Sequence, residues 1–400
     1  MFENVQPGPV DPMFLLKKAA DADTSKLKVD LGVGIYRNEH GLYHELKCIQ
    51  QAKTILQQQN PGHDYELTVG NGEFLSNAAA VVFGKKALGA FAQVTSVQTI
   101  SGTGANHLAA VFLQRSMTSP SRVFVGTPTW GNYEPLCRLA GFEIVKYKYY
   151  DQENARVDFT SVLEAVENAP EESIFILQAC CQNPTGADLT REQWEQLAAT
   201  MKRRGLFPFF DIAYQGLGVS LDDDAYAIRL FFKIGFEMVV CQSFSKNFGL
   251  YGERCGVLHV VSKDSTTAAN IQDQLRCLIR WEFSSSPAFG SRLVTIILSD
   301  AEMTDQWIHE LHFMRARLNK NRQKLYDLMV KSQKTSGGWR SITNTSGLFC
   351  FLPITAAQCA ILRSDYHIYL PDSGRINVAG LNNSNVDYVA SAIDAVVRDS

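Results

Sequence analysis

No C-x-x-C pair occurs among the nine cysteines of this 400-residue chain, and an odd number cannot all pair within one molecule. Reduced thiols are therefore expected, and the adjacent Cys180 and Cys181 read as packing. A charge excess of either sign is also missing, since 38 basic and 41 acidic side chains leave a formal charge of -3. Nucleic acid and acidic membranes thus have no electrostatic reason to bind. No apolar run reaches spanning length. Residues 1 to 15 lack the basic start and apolar stretch of a signal peptide. Glu3, Asp11 and the lack of arginine before Arg37 argue against a mitochondrial transit peptide, so the expected address is the cytosol. Internal repeats and low-complexity segments are absent. A zinc motif is suggested only superficially by His309-Glu310-Leu311-His312: its histidines are three apart, no third ligand is visible, and a solvated helix face is expected with no metal.

What the chain has is 46% hydrophobic residues, enough for a large core in one larger and one smaller domain. Strand-like runs at Ser121 to Val125, Phe142 to Tyr147, Ser173 to Leu177, Leu206 to Phe210, Glu237 to Cys241 and Gly256 to Val260 alternate with helical stretches. That rhythm predicts an α/β fold with a mostly parallel sheet covered on both faces. Met303 to Met329 has apolar residues at helical spacing, and Leu348 to Leu352 and Arg375 to Val378 read as strands of the smaller domain.

Four segments carry chemistry. Ser243-Phe244-Ser245-Lys246-Asn247 sets a lysine just past the apolar run Met238 to Cys241, with Arg254 following. A lysine there can form an imine while its hydroxyl and cationic neighbours grip a phosphate, although most lysines after strands are merely solvated. Phe207 to Tyr214 is an apolar run carrying one acid, Asp211. At the carboxyl end of such a strand an anion can hold a pyridine nitrogen protonated; a helix cap or turn is the ordinary alternative. Ser101-Gly102-Thr103-Gly104 precedes a helical stretch, Ala105 to Leu113, so a phosphate would meet its positive end. Cys180 to Gly186 places Asn183 before Pro184, where its amide can donate to a phenolate oxygen or simply make an Asn-Pro turn.

In this order, and over nearly the whole chain from Met1-Phe2-Glu3-Asn4 to Ser373-Gly374-Arg375-Ile376-Asn377-Val378-Ala379-Gly380, the sequence resembles the aspartate aminotransferases of fold type I, the class I pyridoxal phosphate enzymes. Asp211-Ile212-Ala213-Tyr214-Gln215-Gly216 and Ser243 to Tyr251 are the longest matches. The resemblance implies that pyridoxal 5'-phosphate is the cofactor and Lys246 the lysine that bonds it and shuttles the substrate α-proton. It implies further that Asp211 partners the pyridinium, while Tyr214 and Asn183 bind the phenolic oxygen and lower the imine's proton affinity. Ser101, Gly102, Thr103, Ser243, Ser245 and Arg254 match the phosphate cup, joined by Tyr65 from a second subunit. Trp130 matches the aromatic that stacks on the ring. Substrate would be held by Gly34, Trp130, Asn183 and two arginines: Arg375 on the α-carboxylate and Arg280, from across a homodimer interface, on the distal carboxylate.

The chain departs from its relatives where most of them carry histidine, at Tyr133, Gln178 and Gln182. A tyrosine hydroxyl and a glutamine amide can still donate to Asp211, but neither takes up a proton near neutrality. By analogy residues 1 to 11 form an arm on the partner, residues 12 to 43 with 314 to 400 a small domain, and 44 to 313 the large cofactor-binding domain. The implied activity is reversible amino-group transfer between L-aspartate or L-glutamate and 2-oxoglutarate or oxaloacetate, by ping-pong chemistry. The alternatives are an aromatic or broad-range aminotransferase on the same fold, and a non-catalytic relative kept for binding.

Overall fold

The computed structural model describes residues 1–85, 92–117, 122–332 and 338–398, with the side chains of 331 and 332 left aside. Seven strands form the main sheet: β1 (Val94–Ile100), β2 (Arg122–Thr127), β3 (Glu143–Lys148), β4 (Ile174–Gln178), β5 (Phe207–Ile212), β6 (Met238–Ser243) and β7 (Cys255–Val261). Their spatial order is β1-β7-β6-β5-β4-β2-β3. Only β7 runs antiparallel to its neighbours. The expected α/β architecture with a mostly parallel sheet is therefore present. Each expected run lies within a residue or two of its strand, though Ser121 lies outside the described residues.

The reason these runs become central strands is visible in their alternation. Met238 and Val240 of β6 enter one apolar cluster, with Phe231 and Trp194. Val239 and Cys241 enter the other, with Leu108, Leu275 and Ile279 of helices α1 (Ser101–Ser116) and α2 (Ser265–Glu282). Both faces are buried, so the strand reads as an unbroken apolar run. Burying one such side chain contributes roughly 1.5–3 kcal/mol.

Strand β1 escaped the sequence reading because Thr95, Ser96, Gln98 and Thr99 interrupt its apolar pattern. Tertiary partners satisfy those groups: Thr95 Oγ1 donates to the Ala268 carbonyl at 2.6 Å, and Gln98 Nε2 to that of Pro287 at 2.8 Å. A second correction concerns Ser101-Gly102-Thr103-Gly104. These residues form the first turn of α1 itself, not a turn ahead of it.

Helix α3 (Ala301–Asp327) is capped by Asp300 and buries Trp307, Leu311, Met314, Leu318 and Leu325. His309 and His312 are exposed on it. Glu310 between them accepts the backbone N–H groups of Lys47 and Cys48 at 2.6 and 2.9 Å, closing the start of the helix Lys47–Gln59. Beyond α3, β8 (Phe349–Phe351) pairs antiparallel with β9 (Arg375–Asn377). The buried Arg322 of α3 donates to the carbonyls of Ile342, Gly347 and Phe349 and to Thr345 Oγ1. Val29–Asp30 runs parallel to Ile368–Tyr369, which ties the early chain to the late chain. Among the described residues no helix is long and apolar enough to cross a membrane.

Candidate active site

The side-chain alternation that builds the core also builds a cavity. Ile174 and Ile176 of β4, Phe209 of β5, and Val239 and Cys241 of β6 share the sheet face covered by α1 and α2. With a period of two residues, the next positions on that face are Gln178, Asp211 and Ser243, at the carboxyl ends of adjacent strands. All three line one cavity. Ligands bind open α/β sheets at these strand ends.

Asp211 is buried, and its Oδ2 accepts the Tyr133 hydroxyl at 2.5 Å. Its Oδ1 is buried without a partner. Burial raises its pKa to about 6, against the opposing effects of the Tyr133 hydrogen bond and the Lys246 charge. An unpaired carboxylate oxygen raised by burial is a site for a cationic N–H, because a positive partner there restores the ionised form. Lys246, half-buried, lies in the turn after β6 with Nζ 5.2 Å from the centre of the Tyr214 ring. Burial lowers its pKa to about 8, against the charge of Asp211 and aided by that of Arg254. The amine is thereby a better nucleophile near neutrality than an ordinary lysine.

Beside the lysine stands a cradle of hydroxyls. Ser101 Oγ lies 3.0 Å from Ser245 Oγ and 3.4 Å from Ser243 Oγ, at the N-terminal end of α1. A Cβ on Gly102 would come within 2.9 Å of Ser243 Cβ, so only glycine lets α1 approach β6 this closely. Ser101 and Arg254 both have left-handed backbones, with φ of 61° and 52°, and the Ser101 N–H donates to the Arg254 carbonyl at 2.9 Å. Strain of this kind persists where surrounding structure holds it. The Arg254 side chain donates through Nη1 to the Tyr251 carbonyl at 2.7 Å. Free N–H groups at a helix start, hydroxyls and a guanidinium are the donors a phosphate takes. The acidic oxygen, the amine and this cradle in one cavity fit pyridoxal phosphate.

Of the residues expected at the site, Ser101, Gly102, Thr103, Trp130, Asn183, Asp211, Tyr214, Ser243, Ser245, Lys246 and Arg254 all line this cavity. Trp130 meets Tyr133 edge-on at 5.1 Å between ring centres. Arg375 is not in its wall. The guanidinium lies 4.3 Å from the centre of the Phe349 ring, donates to the Gly32 carbonyl at 2.5 Å, and has no carboxylate partner among the described residues. Gly34 sits nearby, where a Cβ would approach the Phe349 ring tip at 2.9 Å. Two further expected residues stay outside and on the surface: Tyr65 is 89% exposed, and Arg280 is exposed with Nη1 donating to Ser284 Oγ at 2.6 Å.

One expectation about the departures from histidine needs correcting. Gln178 does not reach Asp211: its amide bonds the backbone of Asn183. Gln182 spans the Pro128 carbonyl and Thr185. Asp211 keeps Tyr133. Sequence reasoning also missed Asn106 and Ala213 in the cavity wall, and Phe349 beneath Arg375. Asn106 stands one helical turn after Gly102, and that spacing was the available signal.

The cysteines are free as expected. Among the described residues Cys180, Cys181 and Asp224 form a compact group with metal-ligand chemistry. The Asp224 oxygens are already taken by the N–H groups of Gly216, Gly218 and Val219, and the hydrogen bond with the Cys181 thiol, together with burial, holds Cys180 in its thiol form.

Comparison with known proteins shows the family. The family model for aminotransferase class I and II matches residues 26–393. The chain is 45% identical over 398 residues to the aminotransferase tasG of Hapsidospora irregularis, covering 99% of this chain and 96% of that protein. It is 42% identical to the cytoplasmic aspartate aminotransferase of Dictyostelium discoideum, covering 99% and 90%. Among solved structures, the aromatic-amino-acid aminotransferase of Burkholderia pseudomallei, covalently bound to pyridoxal phosphate, superposes with a TM-score of 0.96 at 37% identity, over 99% of each chain.

Proposed function

The chain belongs to the class I and II aminotransferases, and from that premise we propose that a homodimer of it moves the amino group between L-aspartate or L-glutamate and 2-oxoglutarate or oxaloacetate. The observation that carries this reading is the convergence of Lys246, the unpartnered Asp211 Oδ1 and the hydroxyl cradle on one cavity. Bound pyridoxal phosphate supplies an aldehyde to receive the amino group and a ring that draws electrons from the substrate α-carbon.

The side chains divide the remaining work. Lys246 would hold the cofactor's aldehyde carbon, and as a free amine its Nζ would take the proton from the substrate α-carbon and deliver it to that former aldehyde carbon. Asp211 keeps the ring nitrogen protonated through Oδ1 while Tyr133 fixes Oδ2. Asn183 and Tyr214 donate to the phenolic oxygen, and Trp130 covers the ring. Arg254, Ser101, Gly102, Thr103, Ser243 and Ser245 bind the phosphate, with Tyr65 reaching it from the partner subunit. Arg375, held over Phe349 and against the Gly32 carbonyl, pairs bidentately with the α-carboxylate. Arg280 meets the distal carboxylate from the partner subunit.

The proposed arm of residues 1–11 is exposed along its whole length. The proposed small domain, 12–43 with 314–400, is supported by the pairing of Val29 with Ile368 and by Arg317 donating to the Arg37 carbonyl. Its boundary with 44–313 falls inside α3. A cytoplasmic address is supported by the Dictyostelium relative.

The likeness to the Burkholderia enzyme favours a second reading, acceptance of aromatic amino acids by the same site. An absorbance scan of the purified protein during addition of L-aspartate tests the first. The cofactor band is expected to shift and to return with 2-oxoglutarate. No shift with aspartate but a full one with phenylalanine would overturn the dicarboxylate assignment in favour of the second.

A further inference from the structure

Gln178 ends β4 directly beside Asp211, its partner in the ladder with β5. Instead of the acid, its side chain takes hold of the loop that follows. Oε1 accepts the Asn183 N–H at 2.8 Å and Nε2 donates to the Asn183 carbonyl at 3.0 Å, with Thr129 Oγ1 at 3.5 Å from Nε2. One amide thus satisfies both backbone polar groups of one residue.

The rest of the loop has other anchors. Asp188 accepts the N–H groups of Cys181 and Gln182 at 2.7 and 2.9 Å, and Gln182 Oε1 accepts from Thr185. None of these bonds touches Asn183, and the next residue, Pro184, has no N–H to donate. Asn183 meanwhile lines the cavity. We propose that Gln178 is a positioning residue for Asn183, fixing the backbone from which the Asn183 amide reaches the phenolic oxygen of the cofactor. This rests on the cofactor placement given above. The chemistry favours glutamine for the task. A primary amide carries donor and acceptor side by side in one plane, whereas the two ring nitrogens of histidine point apart and can serve only one of the two backbone groups.

A well-placed donor at the phenolic oxygen stabilises its anionic form, so the bound cofactor gives up its proton at lower pH. Loosening Asn183 must raise that midpoint. The test is a pH titration of cofactor absorbance, with cofactor affinity by equilibrium dialysis, for wild type, Gln178→Met, Gln178→His, Asn183→Ala and the Gln178→Met/Asn183→Ala double variant. Gln178→Met is expected to raise the midpoint by about one pH unit and weaken cofactor binding about tenfold, with Gln178→His between it and wild type. The double variant is expected to match Asn183→Ala alone, because residues acting through one contact are not additive. Should Gln178→Met fail to fold, the His variant carries the same comparison. An unchanged midpoint, or fully additive effects, would overturn the proposal. A wild type whose midpoint depends on residue 178 but which ignores aspartate would sink the substrate assignment and leave the positioning role standing.

Discussion

The cavity that would hold the cofactor and the proposed distal-carboxylate site differ in how much of each a single chain supplies. At the first, strand ends from β4, β5 and β6 bring Gln178, Asp211 and Ser243 together on rigid, buried backbone. At the second, the residue proposed to read the distal carboxylate, Arg280, is exposed on its own chain. The difference teaches that the sheet preorganises the groups that would act on the ring, whereas in the proposed dimer the substrate's far end would be read by a side chain of the second subunit.

The sharpest way to break that contrast is to damage both ends and mix the chains. Lys246→Ala is expected to lower turnover of aspartate by about 10⁴-fold or more, since it removes both the covalent anchor and the general base. Arg280→Leu is expected to lower kcat/KM for aspartate by about a hundredfold while sparing phenylalanine. Refolded together, the two variants should recover activity toward aspartate, because a mixed dimer contains one site with Lys246 from one chain and Arg280 from the other. No recovery would place Arg280 in its own chain's site and erase the contrast.

Next in size is the reactivity of the amine. In cofactor-free protein, Lys246 is expected to react with an aldehyde or acylating probe with a midpoint near pH 8, which gives roughly 300-fold more free amine at neutral pH than an ordinary lysine with its pKa of 10.5. The sign follows from the cause: burial disfavours the ammonium, so the nucleophilic form is present at lower pH. Peptide mapping of probe uptake against pH measures it, and a midpoint above 10 would contradict a preorganised amine.

The smallest effect belongs to Tyr133. Tyr133→Phe removes the hydrogen bond to Asp211 Oδ2 and is expected to weaken cofactor binding about tenfold in equilibrium dialysis, with Tyr133→His restoring most of it. Unlike Arg280→Leu, this variant should gain nothing from mixing with an intact partner site.

The same contrast explains what was legible in the sequence. Asp211 and Lys246 could be read because each ends an apolar strand whose two buried faces leave an unmistakable run. Strand β1 could not, since its polar side chains are paid for by carbonyls of Ala268 and Pro287, far away in sequence. The glutamine at 178 was seen as a replacement, but its target was mistaken. Which acceptor a flexible amide chooses depends on how the following loop folds back, and spacing does not report that. For Tyr65 and Arg280, only the resemblance to relatives suggested a role, because a surface arginine carries no local mark of the chain it will meet.

Arg322 has a consequence for the footing of the proposed clamp residue Arg375. Its guanidinium is buried, and three backbone carbonyls and one hydroxyl from the stretch between Ile342 and Phe349 converge on it. A lysine would keep the cation but offer donors from a single nitrogen, unable to span oxygens spread around a planar fork. The Phe349 ring beneath Arg375, the proposed α-carboxylate clamp, therefore takes its height from α3, and exchanging one cation for another at 322 should weaken aspartate and phenylalanine alike in a KM measurement.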